Sequence, residues 1–233
     1  MKQSFELIKG VSDIDAKFNM TQEQNIFVAK RNIVDYIYNS AKLEGCNVTF
    51  PQTQTILDGV NVGSVKLDDI QTILNLRDAW KFVLSTMNNF FDIDYICKVN
   101  EHISRNESLE WGVLRKGSVG ISGTEYIPPI PNRENVIKEL SEILSIKNVT
   151  EKAIKFFLWA CRSQLFWDGN KRTATVCANK ILIAEGAGVF TVKEKYVEEF
   201  NEKLVAFYNT GDYFLIDNWL YDNCIDGIDF PKE

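Results

Sequence analysis

The residues best suited to chemistry lie in one short polar turn, residues 164–172, between two apolar helical runs. Gly169 relaxes the steric limits on the turn, and we expect Asn170 to cap the helix that follows. Lys171 and Arg172 come next, beside the N–H groups that the first turn of a helix leaves unpaired. Cations at this end of a helix oppose its dipole unless an anion binds there. The pattern therefore predicts a phosphate-binding site.

Asp168 stands at the mouth of the same turn, directly before Gly169. A carboxylate beside bound phosphates suits Mg²⁺, a hard cation that prefers oxygen ligands. The alternative interpretation is an ordinary joint between two helices with a good N-cap, which an isolated Asp-Gly-Asn would favour. The two cations that follow favour the functional interpretation, with Asp168 as the metal ligand.

The turn resembles the signature of the Fic family, H-x-F-x-[D/E]-G-N-G-R-x-x-R, which lies between two helices. The matching residues are Gln164, Phe166, Asp168, Gly169, Asn170, Lys171, Arg172 and Thr175. Three of them differ from the family's pattern, because Gln164 replaces His, Lys171 replaces the second Gly and Thr175 replaces the final Arg. The resemblance implies a Mg²⁺-dependent enzyme that moves AMP from ATP to a hydroxyl of a protein.

The resemblance also implies a role for each matching residue. Asp168 would bind Mg²⁺ and take part in catalysis with Arg172. The nucleotide would be bound by Gly169, Asn170, Lys171 and Arg172. Gln164 occupies the position of the family's general base, but an amide accepts no proton near neutral pH. Loss of a general base commonly costs on the order of 10²–10⁴ in rate, so we expect weak transfer.

Lys171 supports a second interpretation. The Doc-type branch of the family has N-K-R at this point and transfers the γ-phosphate of ATP to a protein. Glycine lets the α-phosphate approach the backbone, whereas a lysine side chain crowds that approach and itself attracts an anion. Against this alternative, Doc-type chains are short and keep the His, and Asp168-Gly169 follow the AMP-transferring pattern. A third interpretation is a module that binds nucleotide or protein without catalysis.

Residues 21–45 are predicted to form one helix, which Thr21 and Gln24 open with a capping box. Near its end, Ser40 and Glu44 are four residues apart and share a face. The run from Ser40 to Gly45 resembles the family's inhibitory motif, [S/T]-x-x-x-E-[G/N].

In the family, the Glu of this motif points into the nucleotide site and pairs with the final Arg of the signature. Thr175 occupies that Arg position here, so Glu44 lacks its usual cation and Arg172 is the nearest substitute. We therefore expect autoinhibition through Glu44, in a weakened form.

Residues 113–129 are predicted to form a small β-hairpin, because three glycines alternate with β-branched residues and two prolines end the run. The segment resembles the Fic flap, a hairpin that lies over the active site. In the family, the flap holds the target peptide by strand addition. The resemblance therefore implies that Val119, Gly120 and Ile121 bind the target.

The bulk composition is that of a globular protein, with 233 residues and a formal net charge of −6. That charge argues against general binding of nucleic acid or of anionic membranes. Five widely spaced cysteines, no C-x-x-C pair and a single histidine argue against a structural zinc site and favour a reducing compartment. No apolar run is long enough to cross a membrane, and we expect a cytoplasmic protein.

The remaining segments read as amphipathic or buried helices without repeats or flexible linkers. We therefore expect an all-α, Fic-type helical domain with one small β-hairpin flap. Residues 1–20 are interpreted as an N-terminal arm and residues 21–233 as a single domain. Fic proteins often assemble, so the resemblance also implies a homo-oligomer, beside ATP and a protein with a Ser, Thr or Tyr hydroxyl as partners.

Overall fold

Ten α-helices make up most of the part of the chain that the computed structural model describes, residues 16–230. They are α1 (Gln22–Arg31), α2 (Ile33–Leu43), α3 (Phe50–Leu57), α4 (Leu67–Ser85), α5 (Ile93–Ser104), α6 (Arg133–Leu144), α7 (Val149–Ser163), α8 (Asn170–Ala184), α9 (Val197–Thr210) and α10 (Asp217–Cys224). Two 3-10 turns, Glu194–Tyr196 and Tyr213–Leu215, accompany an antiparallel pair of short strands, β1 (Val189–Phe190) and β2 (Ile225–Asp226). The all-α fold class is confirmed.

The core is built around α7 and α8, which pack more extensively against each other than any other pair of elements. α7 is apolar on nearly all sides, and Phe156 and Phe157 are fully buried within it. Helices α4 and α5 cover the other side of α8. The turn that joins α7 to α8 is therefore supported from both sides by buried helices. Within residues 16–230, no helix combines the length and the apolar character needed to span a bilayer.

The helix predicted over residues 21–45 is two helices, α1 and α2, with an interruption at Asn32. Thr21 and Gln24 form the predicted capping box at the start of α1. Asn32 has φ −106° and ψ 17°, outside helical values. Asparagine favours such breaks because its short polar side chain competes with helical hydrogen bonds. Gly45 follows α2 in the left-handed region with φ +82°, which ends the helix as predicted.

The predicted hairpin over residues 113–129 is absent, because this segment contains no strand. It runs as irregular chain with a turn at Ser122 and Gly123. The small sheet of the described chain lies elsewhere, in β1 and β2. Pro128 and Pro129 have no N–H to give to a strand ladder, and this removes two of the donors that a hairpin would need.

Arg115 takes the place of that ladder at the base of the segment. Arg115 is 1% exposed, and its guanidinium donates to backbone carbonyls on both arms, those of Gly117 at 2.5 Å and Pro129 at 2.7 Å. Its Nε donates to the carbonyl of Gln164 at 2.5 Å. One buried cation therefore ties the two arms to each other and to the turn between α7 and α8.

The chain before α1 is anchored at the far end of α8. Of the predicted arm, residues 1–15 lie outside the described part of the chain, and residues 16–20 run as non-helical chain. The N–H of Met20 donates to the carbonyl of Gly186 at 2.9 Å. Gly186 has φ +70°, and a Cβ there would lie 1.8 Å from the carbonyl oxygen of Met20. Only glycine fits this contact without moving the backbone.

We expect Gly186→Ala to lower the free energy of unfolding by at least about 2 kcal/mol, since left-handed backbone strain and the clash with Met20 add. Urea denaturation followed by circular dichroism measures the change. Gly63→Ala is the matched control, because a Cβ at Gly63 meets nothing within 4 Å. Equal stability of the two variants would show that the contact with Met20 is not held in solution.

Candidate active site

The turn between α7 and α8 begins and ends with left-handed residues. Gln164 closes α7 with φ 45° and ψ 60°, and Gly169 precedes α8 with φ 70°. A Cβ on Gly169 would lie 2.2 Å from the Ser104 Oγ of α5, so glycine is required at this position. Ser104 and Asn100 of α5 both donate to the carbonyl of Asp168, at 3.0 and 3.1 Å. α5 therefore fixes the turn at the residue before the glycine.

Asn170 does not cap α8 as the sequence predicts, because it is already the first residue of the helix. Its side chain turns back instead: Oδ1 accepts from the Phe166 N–H and Nδ2 donates to the Phe166 carbonyl, both at 2.9 Å. The N-cap is Gly169, which has no side chain to offer. The first N–H groups of α8 are therefore left without a side-chain cap, as an anion site requires.

Gln164 uses both ends of its amide to hold the turn. Nε2 donates to the Cys161 carbonyl at 2.7 Å, and Oε1 accepts from Asn170 Nδ2 at 3.1 Å. The backbone carbonyl of Gln164 accepts from Arg115. This half-buried residue links α7, α8 and the 113–129 segment, which is a positioning role that needs no proton transfer.

Arg172 is buried among three carboxylates, with its side chain 5% exposed. Nη1 donates to Glu107, Nη2 lies 3.4 Å from Asp168 Oδ2, and Nε lies 3.7 Å from Glu44 Oε2. Burial lowers the pKa of Arg172, but the charges of Glu44 and Glu107 outweigh burial and hold that pKa above its usual value. The guanidinium therefore stays charged in the interior.

Glu44 reaches the N-terminus of α8 from the end of α2. Its Oε1 lies 3.5 Å from Lys171 Nζ, which also donates to the Leu43 carbonyl at 3.2 Å. Arg172, predicted from the sequence as the nearest cation for Glu44, is accompanied by Lys171. The Thr175 hydroxyl donates to the carbonyl of Lys171 at 3.0 Å, so the positive charge near Glu44 comes from these two cations.

Ser40 lies one turn before Glu44 on α2 and is buried. Its backbone carbonyl accepts from the N–H of Glu44 at 3.3 Å. The structure therefore places Glu44 beside the first residues of α8, whereas Ser40 is a buried residue of α2.

A cleft of about 470 Å³ opens in front of Arg172. Carboxylates dominate its lining: Glu44, Asp68, Asp69, Glu107 and Asp168. Asp168 is half exposed, so its carboxylate is available to a ligand. The Cys46 thiol also lines the cleft, and burial, with help from Asp69, raises its pKa to about 12. An anion that enters this cleft must bring a cation or displace a carboxylate.

The residues of the cleft suit Mg²⁺ only in the presence of a second ligand. Within residues 16–230, no group of three or more His, Cys, Asp or Glu side chains is arranged to hold a metal ion. Mg²⁺ is commonly bound by one or two carboxylates together with phosphate oxygens and waters. Asp168 at the mouth of the cleft fits that pattern, as one carboxylate beside an anion site.

The 113–129 segment passes over the turn at Gly117. A Cβ there would lie 2.5 Å from the indole ring of Trp167, the residue before Asp168. Farther along, Val119 and Ile121 are half-buried, and Gly120 is exposed, so that a Cβ at Gly120 would meet nothing within 4 Å. The proposed target-binding residues therefore follow directly after the contact with the motif.

Four residues that hold the cleft and the turn were not predicted from the sequence: Asn100, Ser104, Glu107 and Arg115. They lie outside the motif, and their partners are 49 or more residues away in the sequence. Glu107, in the turn after α5, reads in the sequence as an ordinary solvated charge. Only the fold brings it to Arg172.

A model of the Fic/DOC family matches residues 90–182. The curated relative "Protein adenylyltransferase Fic" of Aedes aegypti is 22% identical over 223 residues, 91% of this chain and 43% of the relative. "Protein adenylyltransferase fic-1" of Caenorhabditis elegans is 23% identical over 198 residues, 78% of this chain and 38% of the relative. This chain thus spans about two fifths of the length of these two relatives.

Solved structures with the same fold include Fic-1 (aa134–508) of C. elegans, with a TM-score of 0.72 and 19% identity over 84% of this chain and 62% of that one. A Fic domain containing signaling protein from Bacteroides thetaiotaomicron has a TM-score of 0.69 and 17% identity. That match covers 87% of this chain and 86% of the bacterial chain. At these identities the likeness concerns the fold.

We expect Asn170→Ala to lower the free energy of unfolding by about 1–3 kcal/mol, because it leaves the buried N–H and C=O of Phe166 without their partner. Chemical denaturation measures this loss. Asn89→Ala removes the same side chain from an exposed loop and should change stability by less than about 0.5 kcal/mol. Similar losses in both variants would contradict the proposed hold on the turn.

Proposed function

We propose that this chain, whose residues 90–182 match a model of the Fic/DOC family, is a protein adenylyltransferase that moves AMP from ATP to a protein hydroxyl. The observation that carries this proposal is the uncapped N-terminus of α8, with the buried Arg172 and the half-exposed Asp168 beside it. The names of the curated relatives support the same reaction.

The proposed roles follow from the geometry of the turn. The phosphates of ATP lie at the N–H groups of α8, with Lys171 and Arg172 supplying positive charge. Asn170 acts indirectly, since its amide holds the Phe166 backbone. Gly169 has no side chain and so leaves the N-terminus of α8 open to the phosphates. Mg²⁺, held by Asp168 together with phosphate oxygens, supplies charge neutralisation when it is bound.

In the proposed reaction, the target hydroxyl oxygen attacks the α-phosphorus of ATP. A bond forms between that oxygen and phosphorus, the bond to the bridging oxygen of the β-phosphate breaks, and pyrophosphate leaves. Gln164 cannot take the hydroxyl proton, which passes to solvent. Positioning and charge neutralisation carry most of the catalysis in phosphorus chemistry, so a slow reaction remains without a base.

Glu44 is proposed to restrain the reaction. Its carboxylate lies within 3.7 Å of the cations of both Lys171 and Arg172 and so occupies charge that the phosphates need. The two nearby cations support a stronger restraint than the weakened one expected from the sequence. The 113–129 segment is proposed to bind the target near Val119, Gly120 and Ile121, as irregular chain with backbone groups open to pairing.

The cellular compartment of the protein is proposed from the state of its cysteines. Its five cysteines are all unpaired, which suits a reducing compartment such as the cytoplasm. Its proposed partners are ATP and a target protein, which can be another copy of this chain. The chain is also proposed to form a homo-oligomer.

We expect label transfer from α-³²P-ATP with Mg²⁺ to protein targets or to the chain itself, and loss of that label in Asp168→Ala. The carboxylate of Asp168 is needed for the metal, so its removal should lower transfer by at least about 10²-fold, typical of a lost electrostatic contribution to catalysis. Asp226→Ala removes a carboxylate far along the chain, in β2, and serves as the control.

Label from γ-³²P-ATP alone would instead favour phosphate transfer of the Doc type, for which Lys171 is the supporting residue. Gln164→His separates a slow enzyme from a binding module. Restoration of a base should raise transfer by roughly 10²–10⁴-fold. ATP binding without any transfer in the Gln164→His variant would contradict the enzymatic proposal.

We expect Glu44→Gly to tighten Mg²⁺-ATP binding by about tenfold or more, because it removes the carboxylate that faces both cations, and tenfold corresponds to about 1.4 kcal/mol. Calorimetric titration measures the change in Kd. Glu185→Gly is the matched control, since Glu185 is also an acidic C-cap residue but is exposed at the far end of α8. Unchanged affinity in Glu44→Gly would rule out the restraint.

A further inference from the structure

The hydrogen-bond donors of Arg172 point in two directions, with Nη1 toward Glu107 and with Nε and Nη2 toward the cleft. Nη1 is fully used, since it donates to the Glu107 carboxylate and to the Ile103 carbonyl at 3.4 Å. Nε is buried and has no hydrogen-bond partner. Nη2 has only the weak contact with Asp168 at 3.4 Å. The Nε–Nη2 edge is a pair of parallel donors that matches a phosphate or carboxylate, and it makes only long contacts with Glu44 and Asp168 on the side of the cleft.

Glu107 is itself held in a fixed position. Its Oε1 accepts from the Thr72 hydroxyl at 2.9 Å and from Asn75 Nδ2 at 3.2 Å, both on α4. Its backbone N–H donates to the Ser104 carbonyl at 3.0 Å, and its side chain is 13% exposed. Glu107 is thus held by α4 through its carboxylate and by α5 through its backbone before any ligand arrives.

We propose that Glu107 is a positioning residue that holds Arg172 by Nη1, so that the Nε–Nη2 edge faces the cleft and receives a phosphate of the nucleotide. The phosphate part of this inference rests on the proposed function. Glu44 and Asp168 are the carboxylates that face this edge in the structure. A phosphate that takes their place gains two parallel charge-assisted hydrogen bonds from an arginine that is already oriented.

The positioning role of Glu107 and a purely electrostatic role predict opposite changes in anion binding when the charge of Glu107 is removed. If Glu107 only neutralised Arg172, its replacement by a neutral residue would strengthen the binding of an anion. If it orients Arg172, the same replacement frees the guanidinium to turn, and the anion binds less tightly. Glu107→Gln preserves size and removes the charge, so the sign of the change separates the two roles.

The test measures the Kd of Mg²⁺-ATP by calorimetry in the Glu44→Gly background, where Glu44 no longer competes. We expect Glu107→Gln to weaken binding by about tenfold in that background. Glu101→Gln is the matched control, because Glu101 lies on α5 and pairs with Lys98 on the surface. Unchanged or tighter binding in Glu107→Gln would overturn the inference.

A second comparison, in which Arg172 is replaced by Lys, tests whether Glu107 has a merely structural role. Lysine has no Nε–Nη2 edge to orient, so Glu107→Gln should have little further effect on Kd in the Arg172→Lys background. The same tenfold loss in that background would show that Glu107 acts through the surrounding turn, against the proposal. If Glu107→Gln fails to fold, Thr72→Val removes one hydrogen bond from Glu107 and should weaken ATP binding two- to threefold.

NMR of the ¹⁵N-labelled arginine side chains tests the orientation of Arg172 without any nucleotide. A guanidinium held through Nη1 rotates slowly, so its Nη protons should be resolved and protected in the wild type and averaged in Glu107→Gln. Averaged Nη protons in the wild type would overturn the inference whatever ATP does. Resolved protons together with no ATP binding in Glu44→Gly would contradict the proposed function and leave the positioning role of Glu107 supported.

Discussion

The buried guanidinium of Arg172 constrains the structure around the cleft. A charge removed from water needs opposite charge and hydrogen bonds of good geometry, or its desolvation exceeds what it gains. Glu107 supplies both, and Glu44 and Asp168 supply further charge. Because these acids come from the end of α2, the turn after α5 and the motif, Arg172 draws three separate parts of the chain to one cleft.

The turn before α8 gains its rigidity from groups that do no chemistry. Asn100 and Ser104 hold the carbonyl of Asp168, Asn170 holds the backbone of Phe166, and Arg115 holds Gln164. Buried polar groups of this kind specify one conformation, since each would be costly if left unpaired. The exposed carboxylate of Asp168 therefore stands on a fixed backbone, which is the arrangement that a binding site requires.

The three departures from the family signature are mutually consistent in this structure. Gln164 replaces a base with an amide that bonds at both ends. Thr175 satisfies its hydroxyl within its own helix, where the family has a cation. Lys171 reaches Glu44 from the other side of the turn and restores a positive partner there. The end of α2 thus contacts the start of α8 through Glu44, Lys171 and Arg172.

The amino-acid sequence by itself determined the helical class, the capping box of α1 and the chemical character of the turn at 164–172, because these depend on local spacing and residue type. The sequence pattern predicted strands at 113–129 that do not form, and it indicated the wrong residue as the cap of α8. At 113–129 the deciding contacts join residues far apart in sequence, because Arg115 holds the carbonyls of Pro129 and Gln164. At the start of α8 the deciding contact is local, because the Asn170 side chain accepts from the N–H of Phe166, four residues earlier, instead of capping its own helix. Only tertiary packing could bring Glu107 to Arg172, since 65 residues separate them and no local pattern marks either as the other's partner.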